Sequence, residues 1–84
     1  MAQFLGVHKT GEIGAMSDDD AADGFHKYKE AAKKMGLSAT HAHYSLEKGF
    51  AYCLTDAETT EQVKQAHAHA GMALEDVIEV KTVE

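Results

Sequence analysis

The segment that most constrains the fold of this chain is residues 38–57, SATHAHYSLEKGFAYCLTDA. In its first half, one set of alternate positions carries Ala39, His41, His43 and Ser45, and the other carries Thr40, Ala42, Tyr44 and Leu46. In its second half, the bulky Phe50, Tyr52 and Leu54 alternate with Ala51, Cys53 and Thr55. Alternation with a period of two is typical of half-buried strands, and residues 47–49 (Glu-Lys-Gly) suit a tight connection. The segment therefore predicts a β-hairpin.

The remaining chain predicts two helices and two further strands. Strands are predicted over residues 4–9 and 77–83, and a loop over residues 10–16. Ser17 followed by three aspartates predicts a helix N-terminus, because a serine side chain and nearby carboxylates satisfy and complement its free N–H groups. The apolar stripe of this helix is Ala21, Phe25, Tyr28, Ala32 and Met35, and Gly36 ends it.

A second helix is predicted to begin after Thr59, where Thr59 and Gln62 have the spacing of a capping box. Its inner residues are Val63, Ala66, His67 and Ala70, and Gly71 ends it. The resulting order, β-α-β-β-α-β, predicts a ferredoxin-like α+β sandwich. We expect a four-stranded antiparallel sheet with both helices on one face, because each helix has one apolar stripe to bury.

Length and composition limit the class of protein. The chain has 84 residues, which predicts a single domain over residues 1–84. A formal charge of −6 with no arginine argues against nucleic-acid binding. The apolar runs are too short for a membrane span. One cysteine and an N-terminus without signal-peptide features predict a cytoplasmic protein.

Period-two alternation also predicts what each sheet face carries. We expect the helices to cover the bulky residues, which are Leu5, Val7, Ala42, Tyr44, Phe50, Tyr52, Leu54, Ile78 and Val80. The open face would then carry Phe4, Gly6, His8, His41, His43, Ala51, Cys53, Val77, Glu79 and Val83. Because this second set is partly apolar, we expect it to meet a second subunit in a homodimer.

The same open face would gather candidate metal ligands, namely His8, His41, His43 and Cys53. Neighbouring strands lie roughly 4.8 Å apart, so side chains on one face can share an ion. Imidazole with thiolate suits Zn, Ni or Cu(I) better than Mg or Ca. Simpler interpretations remain open. His41 and His43 can be an exposed or interface pair, Cys53 a small core residue, and His8 a histidine bonded to backbone. His26 and His69 are expected at the surface.

Three short motifs resemble those of a nickel-binding, ferredoxin-like domain family, formerly described as a domain of unknown function. They are Gly6-Val7-His8, Tyr52-Cys53-Leu54-x-x-Ala57, and Val63-x-x-x-His67-x-x-Ala70-Gly71 followed by Ile78-Glu79-Val80. The resemblance covers nearly the whole chain. It implies a dimeric α/β sandwich or barrel that binds a transition-metal ion and has no settled enzymatic activity.

Position by position, the resemblance implies metal-site roles for His8, Cys53 and His67, and His26 lies close to a helix histidine of some members. The chain also departs from the family. Glu58 and Ala73 stand where prolines are common, and Thr-His-Ala-His replaces an aromatic-rich second strand.

Our leading hypothesis from the sequence is a small cytoplasmic metal-binding protein for sequestration or sensing, with nickel as the expected ion and zinc as the other candidate. One alternative is a dimeric α/β-barrel enzyme, similar to small monooxygenases or isomerases, with a pocket on the open sheet face. In it, His8 or His43 would act as a base or Cys53 as a nucleophile. The other alternative is a plain interaction module.

Overall fold

Six elements follow the predicted order in the computed structural model of this chain, which describes residues 2–9 and 17–84. They are β1 (Ala2–Lys9), α1 (Asp18–Lys34), β2 (Ser38–Ser45), β3 (Phe50–Ala57), α2 (Thr60–His69) and β4 (Asp76–Val80). The strands form one antiparallel sheet in the order β2-β3-β1-β4. The predicted ferredoxin-like α+β fold is thereby confirmed. The predicted loop over residues 10–16 lies outside the described residues.

Both helices begin at the predicted caps. The Ser17 hydroxyl accepts from the Asp20 backbone N–H, and the Asp20 carboxylate accepts from the Ser17 N–H, which completes a capping box. Thr59 Oγ1 accepts from the Gln62 N–H, but the Gln62 side chain accepts from Glu58 rather than from Thr59. Neither helix of the described residues is long and apolar enough to cross a membrane.

Two strand ends differ from the prediction. β2 ends at Ser45, so the hairpin connection has four residues, 46–49, with Gly49 at a φ of 78°. The Ser45 carbonyl accepts from the Gly49 N–H at 2.8 Å, and the Ser45 hydroxyl accepts from the Lys48 N–H. β4 ends at Val80 instead of Val83, and the Val83 residue is 95% exposed.

The predicted assignment of the two sheet faces is wrong for β1, β3 and β4, whereas Ala42 and Tyr44 of β2 lie on the helix side as predicted. The helices cover the face of small residues, on which Phe4, Cys53, Thr55 and Ala57 are buried. The bulky Leu5, Val7, Tyr52, Leu54 and Ile78 lie on the other face, which we call the outer face. The reason is volume. The helices fill most of the core with Tyr28, Val63 and His67. Because protein interiors are close-packed, most sheet side chains that face the helices must be small.

The hairpin register places His41 and His43 on the outer face, and a β-bulge before His41 puts Ala39 on the helix side. The register of β2 against β3 shifts between Ala39 and His41, so Ala39 pairs with Thr55 on the helix side while His41 pairs with Leu54. One extra residue in a strand gives the residues before it the opposite alternation from those after it. In this register, His41 and His43 are exposed beside Leu54 and Tyr52, and Ala42 faces the helices opposite Cys53.

We predict that Gly24→Ala stabilises the protein. Gly24 lies within α1, and a Cβ added to it would meet only the Met72 methyl carbon, at 3.9 Å. Alanine in a helix interior is favoured over glycine by about 1 kcal/mol. Urea denaturation should show a gain in the free energy of unfolding of up to that size. Ala22→Gly, at an exposed position of the same helix, should lower the free energy of unfolding. A loss of stability in Gly24→Ala would contradict the packing of Gly24 against Met72.

Candidate metal centre

Three side chains that could ligate a metal ion, from three different elements, meet between the sheet and α2. They are His8 on β1, Cys53 on β3 and His67 on α2. Gly6 pairs with Cys53 and His8 pairs with Ala51, so His8 and Cys53 share the face that the helices cover. α2 then lays His67 over them, because His67 lies on the stripe that buries Val63 and Ala66. The group is thus a product of the tertiary fold, with no local sequence motif that brings it together.

The three ligating atoms form a nearly equilateral triangle. The His8 Nε2 to Cys53 Sγ distance is 3.3 Å, the Cys53 Sγ to His67 Nε2 distance is 3.2 Å, and the two Nε2 atoms are 3.2 Å apart. His67 is 1% exposed and Cys53 is 4% exposed, whereas His8 is partly buried. Water therefore has little access to the inner two ligating atoms.

Backbone carbonyls fix the tautomer of both imidazoles. His8 Nδ1 lies 2.8 Å from the Ala73 carbonyl oxygen, and His67 Nδ1 lies 2.8 Å from the Val63 carbonyl oxygen. A carbonyl oxygen only accepts, so each Nδ1 must carry the hydrogen and donate it. In the neutral imidazole the other nitrogen is then an acceptor. Both Nε2 lone pairs therefore point into the cluster.

Burial keeps these groups uncharged at neutral pH when no ion is bound. Desolvation, with a smaller contribution from the nearby His8, lowers the pKa of the His67 imidazole to about 4, although the hydrogen bond to Val63 opposes this effect. Burial also lowers the pKa of His8, although the hydrogen bond to Ala73 opposes this effect. For the Cys53 thiol, burial raises the pKa to about 11. A protonated, buried thiol is a poor nucleophile, which argues against the nucleophilic role considered for Cys53.

The cluster consequently holds more acceptors than donors. Two Nε2 atoms and one sulfur are in mutual contact, and the only hydrogen available among them is that of the thiol. It can satisfy one imidazole, which leaves the lone pair of the other facing its neighbours. Buried polar atoms without partners are uncommon in folded proteins, and a site for an ion is one recognised reason for them. This arrangement suits a cation at the centre of the triangle.

The spacing fits a tetrahedral transition-metal ion. Bonds of about 2.0–2.1 Å to nitrogen and 2.3 Å to sulfur place the ligand atoms of such an ion roughly 3.3–3.6 Å apart. The observed separations of 3.2–3.3 Å are close to that range. A thiolate with two imidazoles is also a donor set that transition metals prefer over Mg or Ca. The group His8, Cys53 and His67 could therefore bind a transition metal.

Neighbouring residues shape the centre. A Cβ on Gly6 would lie 2.8 Å from Cys53 Sγ and 3.3 Å from His67 Nε2, so only glycine leaves room for the sulfur here. The Tyr28 ring stacks on the His67 imidazole with centroids 3.9 Å apart, and its hydroxyl bonds to Thr55 Oγ1 at 2.6 Å. These contacts hold the His67 ring in place, which is the usual role of residues around metal ligands.

The structure separates the sequence-predicted ligands into two groups. His8, Cys53 and His67 come together beneath the helices, whereas His41 and His43 lie on the outer face with ring centroids 5.4 Å apart. His26 and His69 are exposed on the helices, as expected. The sequence alone does not identify Tyr28 or Gly6 as site residues. In the sequence, Tyr28 is only one member of an apolar stripe, and the contact that requires glycine at position 6 forms only when α2 packs on the sheet.

Comparisons with known proteins support the fold. No family model matches the chain, and no curated protein matches it. Among solved structures, it is similar to the crystal structure of SCO4226 from Streptomyces coelicolor A3(2), with a TM-score of 0.86 and 22% sequence identity. The alignment covers 99% of this chain and 100% of that one. At this identity the likeness establishes a shared fold.

We predict that the metal-free protein loses stability as the pH falls from 6.5 to 5. The unfolded chain protonates His67 near its ordinary pKa of 6.5, whereas the folded protein resists protonation down to about pH 4. The contribution of unprotonated His67 to the free energy of unfolding is therefore fully present above pH 6.5 and is lost on acidification. At 1.36 kcal/mol per pH unit, the loss at pH 5 is about 2 kcal/mol. Most carboxylates titrate below this window.

Urea denaturation at several pH values in the presence of a chelator measures this slope. His67→Gln should flatten it, and His69→Gln, at an exposed site on the same helix, should preserve it. Equal slopes in both variants would show that His67 is not the group responsible.

Proposed function

We propose that this protein binds a transition-metal ion through His8, Cys53 and His67, with nickel as the first candidate and zinc as the second. The observation that carries the proposal is the contact of two unprotonated Nε2 atoms with a cysteine sulfur at 3.2–3.3 Å in a buried place. The preference for nickel rests on the sequence resemblance. The proposed role is sequestration or sensing in the cytoplasm.

The thiol chemistry of the site adds a requirement. The thiolate is the form of cysteine that ligates metals, and the Cys53 thiol is protonated at neutral pH in the metal-free protein. Binding must therefore release the Cys53 proton, so the apparent affinity should rise with pH. When bound, the ion would supply the positive charge that the acceptor atoms lack. The protein's own part is to hold both rings through Ala73 and Val63.

Calorimetric titration of chelator-treated protein with Ni²⁺ and Zn²⁺ tests the proposal. We expect one ion per chain, with affinity reduced at least tenfold in His8→Ala and in Cys53→Ser, since each variant removes a ligand. The double variant His41→Ala/His43→Ala is the control, because these histidines lie on the outer face. An ion that binds should also raise the melting temperature, since it favours the folded state.

Binding that survives both ligand variants but is lost in the control would contradict the assignment and transfer the site to the outer face. Absence of binding by either ion, with no change in melting temperature, would contradict metal binding itself.

Homodimer formation is the second part of the proposal, and the outer face supports it. Leu5 pairs with Leu54 on one side and with Ile78 on the other, and Val7 pairs with Tyr52. These residues form an apolar patch across three adjacent strands, and Ile78 is 45% exposed. Sheets pack face to face about 10 Å apart through such surfaces. The occupant proposed is a second copy of the chain, because a small domain gains much by burying its own patch.

We predict that Leu54→Glu converts the dimer into a monomer, because the interface would bury an unpaired carboxylate. Size-exclusion chromatography with light scattering measures the mass directly. Val83→Glu is the control, since Val83 is an exposed apolar residue beyond β4. A wild-type protein that is monomeric at all accessible concentrations would refute the dimer while leaving the metal proposal unaffected.

A further inference from the structure

A cavity of about 610 Å³ lies beside the metal centre, on the helix side of the sheet. His8, Cys53 and Tyr28 line it, and so do residues of α1, of the sheet and of the segment after α2. This position differs from that of the pocket expected for an enzyme, which was placed on the open face of the sheet. The volume falls within the range typical of small-molecule sites.

Much of the cavity lining consists of small apolar residues, and exposed charged residues complete it, namely Lys9, Asp20, Lys27 and Glu75. Alanines and two glycines from α1, β2, β3 and the segment after α2 line it, together with two larger apolar side chains, Phe25 and Met72. A close-packed interior would fill such a space with larger side chains. Since the small residues come from four separate parts of the fold, the cavity is formed jointly by these parts and by no single element.

The far wall is held in place by hydrogen bonds. The Met72 N–H donates to the His67 carbonyl at 2.9 Å, and the Ala73 carbonyl accepts from His8 Nδ1. The Glu75 N–H donates to the Val7 carbonyl at 2.8 Å. The segment that closes the cavity is thus fixed to α2 and β1, and the cavity is formed before any ligand arrives.

Apart from the exposed charged residues, one polar part of the wall belongs to the metal centre. Cys53 and His8 line the cavity, whereas His67 does not. An apolar chamber with a few convergent polar groups is the usual form of a small-molecule site. The aromatic wall residues Phe25 and Tyr28 favour a flat ligand.

We propose that this cavity binds a small, planar heteroaromatic molecule, with its apolar body between α1 and the segment after α2 and a ring nitrogen at His8 and Cys53. The choice of a nitrogen head group rests on the proposed function, because such a nitrogen suits a transition-metal ion. The body is chosen from the cavity walls alone, so the two parts of the inference can be tested separately.

The probe is 4-phenylimidazole, compared with imidazole, which has the head group without the apolar body. Both are titrated into metal-free and Ni²⁺-treated protein, and binding is followed by calorimetry and by NMR of ¹⁵N-labelled protein. Burial of the phenyl ring should make 4-phenylimidazole bind at least about tenfold more tightly than imidazole. The amide signals of Ala21, Gly24, Ala51 and Met72 should shift, and those of the outer face should not.

Two neighbouring alanines of α1 provide matched variants. Ala21 lines the cavity, whereas Ala22 is exposed. Ala21→Leu should abolish the tenfold advantage of the phenyl ring by filling the cavity, and Ala22→Leu should retain it. Gly24→Leu is a second cavity-filling variant, because a Cβ there has room. Ni²⁺ affinity should be unchanged in all three, which also confirms that each variant is folded.

The outcomes separate the cavity from the metal site. If Ni²⁺ binds but 4-phenylimidazole shows no advantage over imidazole, the cavity inference is wrong and the metal proposal stands. If Ni²⁺ does not bind but the advantage is present and is lost in Ala21→Leu, the metal proposal is wrong and the cavity is a ligand site. Equal behaviour of Ala21→Leu and Ala22→Leu would overturn the cavity inference.

Discussion

Two hydrogen bonds to backbone carbonyls determine the chemistry of the interior. By accepting from Nδ1 of His8 and of His67, the Ala73 and Val63 carbonyls turn both Nε2 lone pairs toward Cys53. The Val63 bond lies within α2, one turn from the histidine, so the helix orients its own ligand. The Ala73 bond connects β1 to the segment after α2. Together the two bonds set the orientation and tautomer of the rings, and the Ala73 bond also holds the segment after α2 against β1.

Much of the fold could be predicted from local sequence signals. Ser17 with Asp20 and Thr59 with Gln62 mark helix starts that the structure reproduces, and the alternation in residues 38–57 correctly predicts the hairpin. Strand order follows from the ferredoxin-like topology. The contact of His8 and Cys53 was also predictable, because both lie on one face of adjacent strands. The third partner, His67, came from a family resemblance, since periodicity alone places it on an inner stripe without naming its neighbours.

The assignment of the sheet faces could not be predicted, for two physical reasons. Alternation gives two faces without saying which one the helices cover, and side-chain size misleads when a helix supplies the bulk. Here Tyr28 fills the space above Thr55, so the covered face is the one with small residues. The hairpin register is the second reason, because it pairs Cys53 with Ala42 and so separates Cys53 from His41 and His43. A bulge at Thr40 also puts Ala39 on the helix side. A register shift of one residue carries no clear composition signal, since Thr40 is an ordinary strand residue.

The burial of the centre has a kinetic consequence. With His67 and Cys53 almost inaccessible, an ion held by them can exchange only past His8 through the cavity, or when α2 lifts from the sheet. Its residence time would then depend on how often the protein opens, and less on the strength of the coordination bonds. Slow exchange of this kind suits retention of an ion better than rapid transfer to a partner.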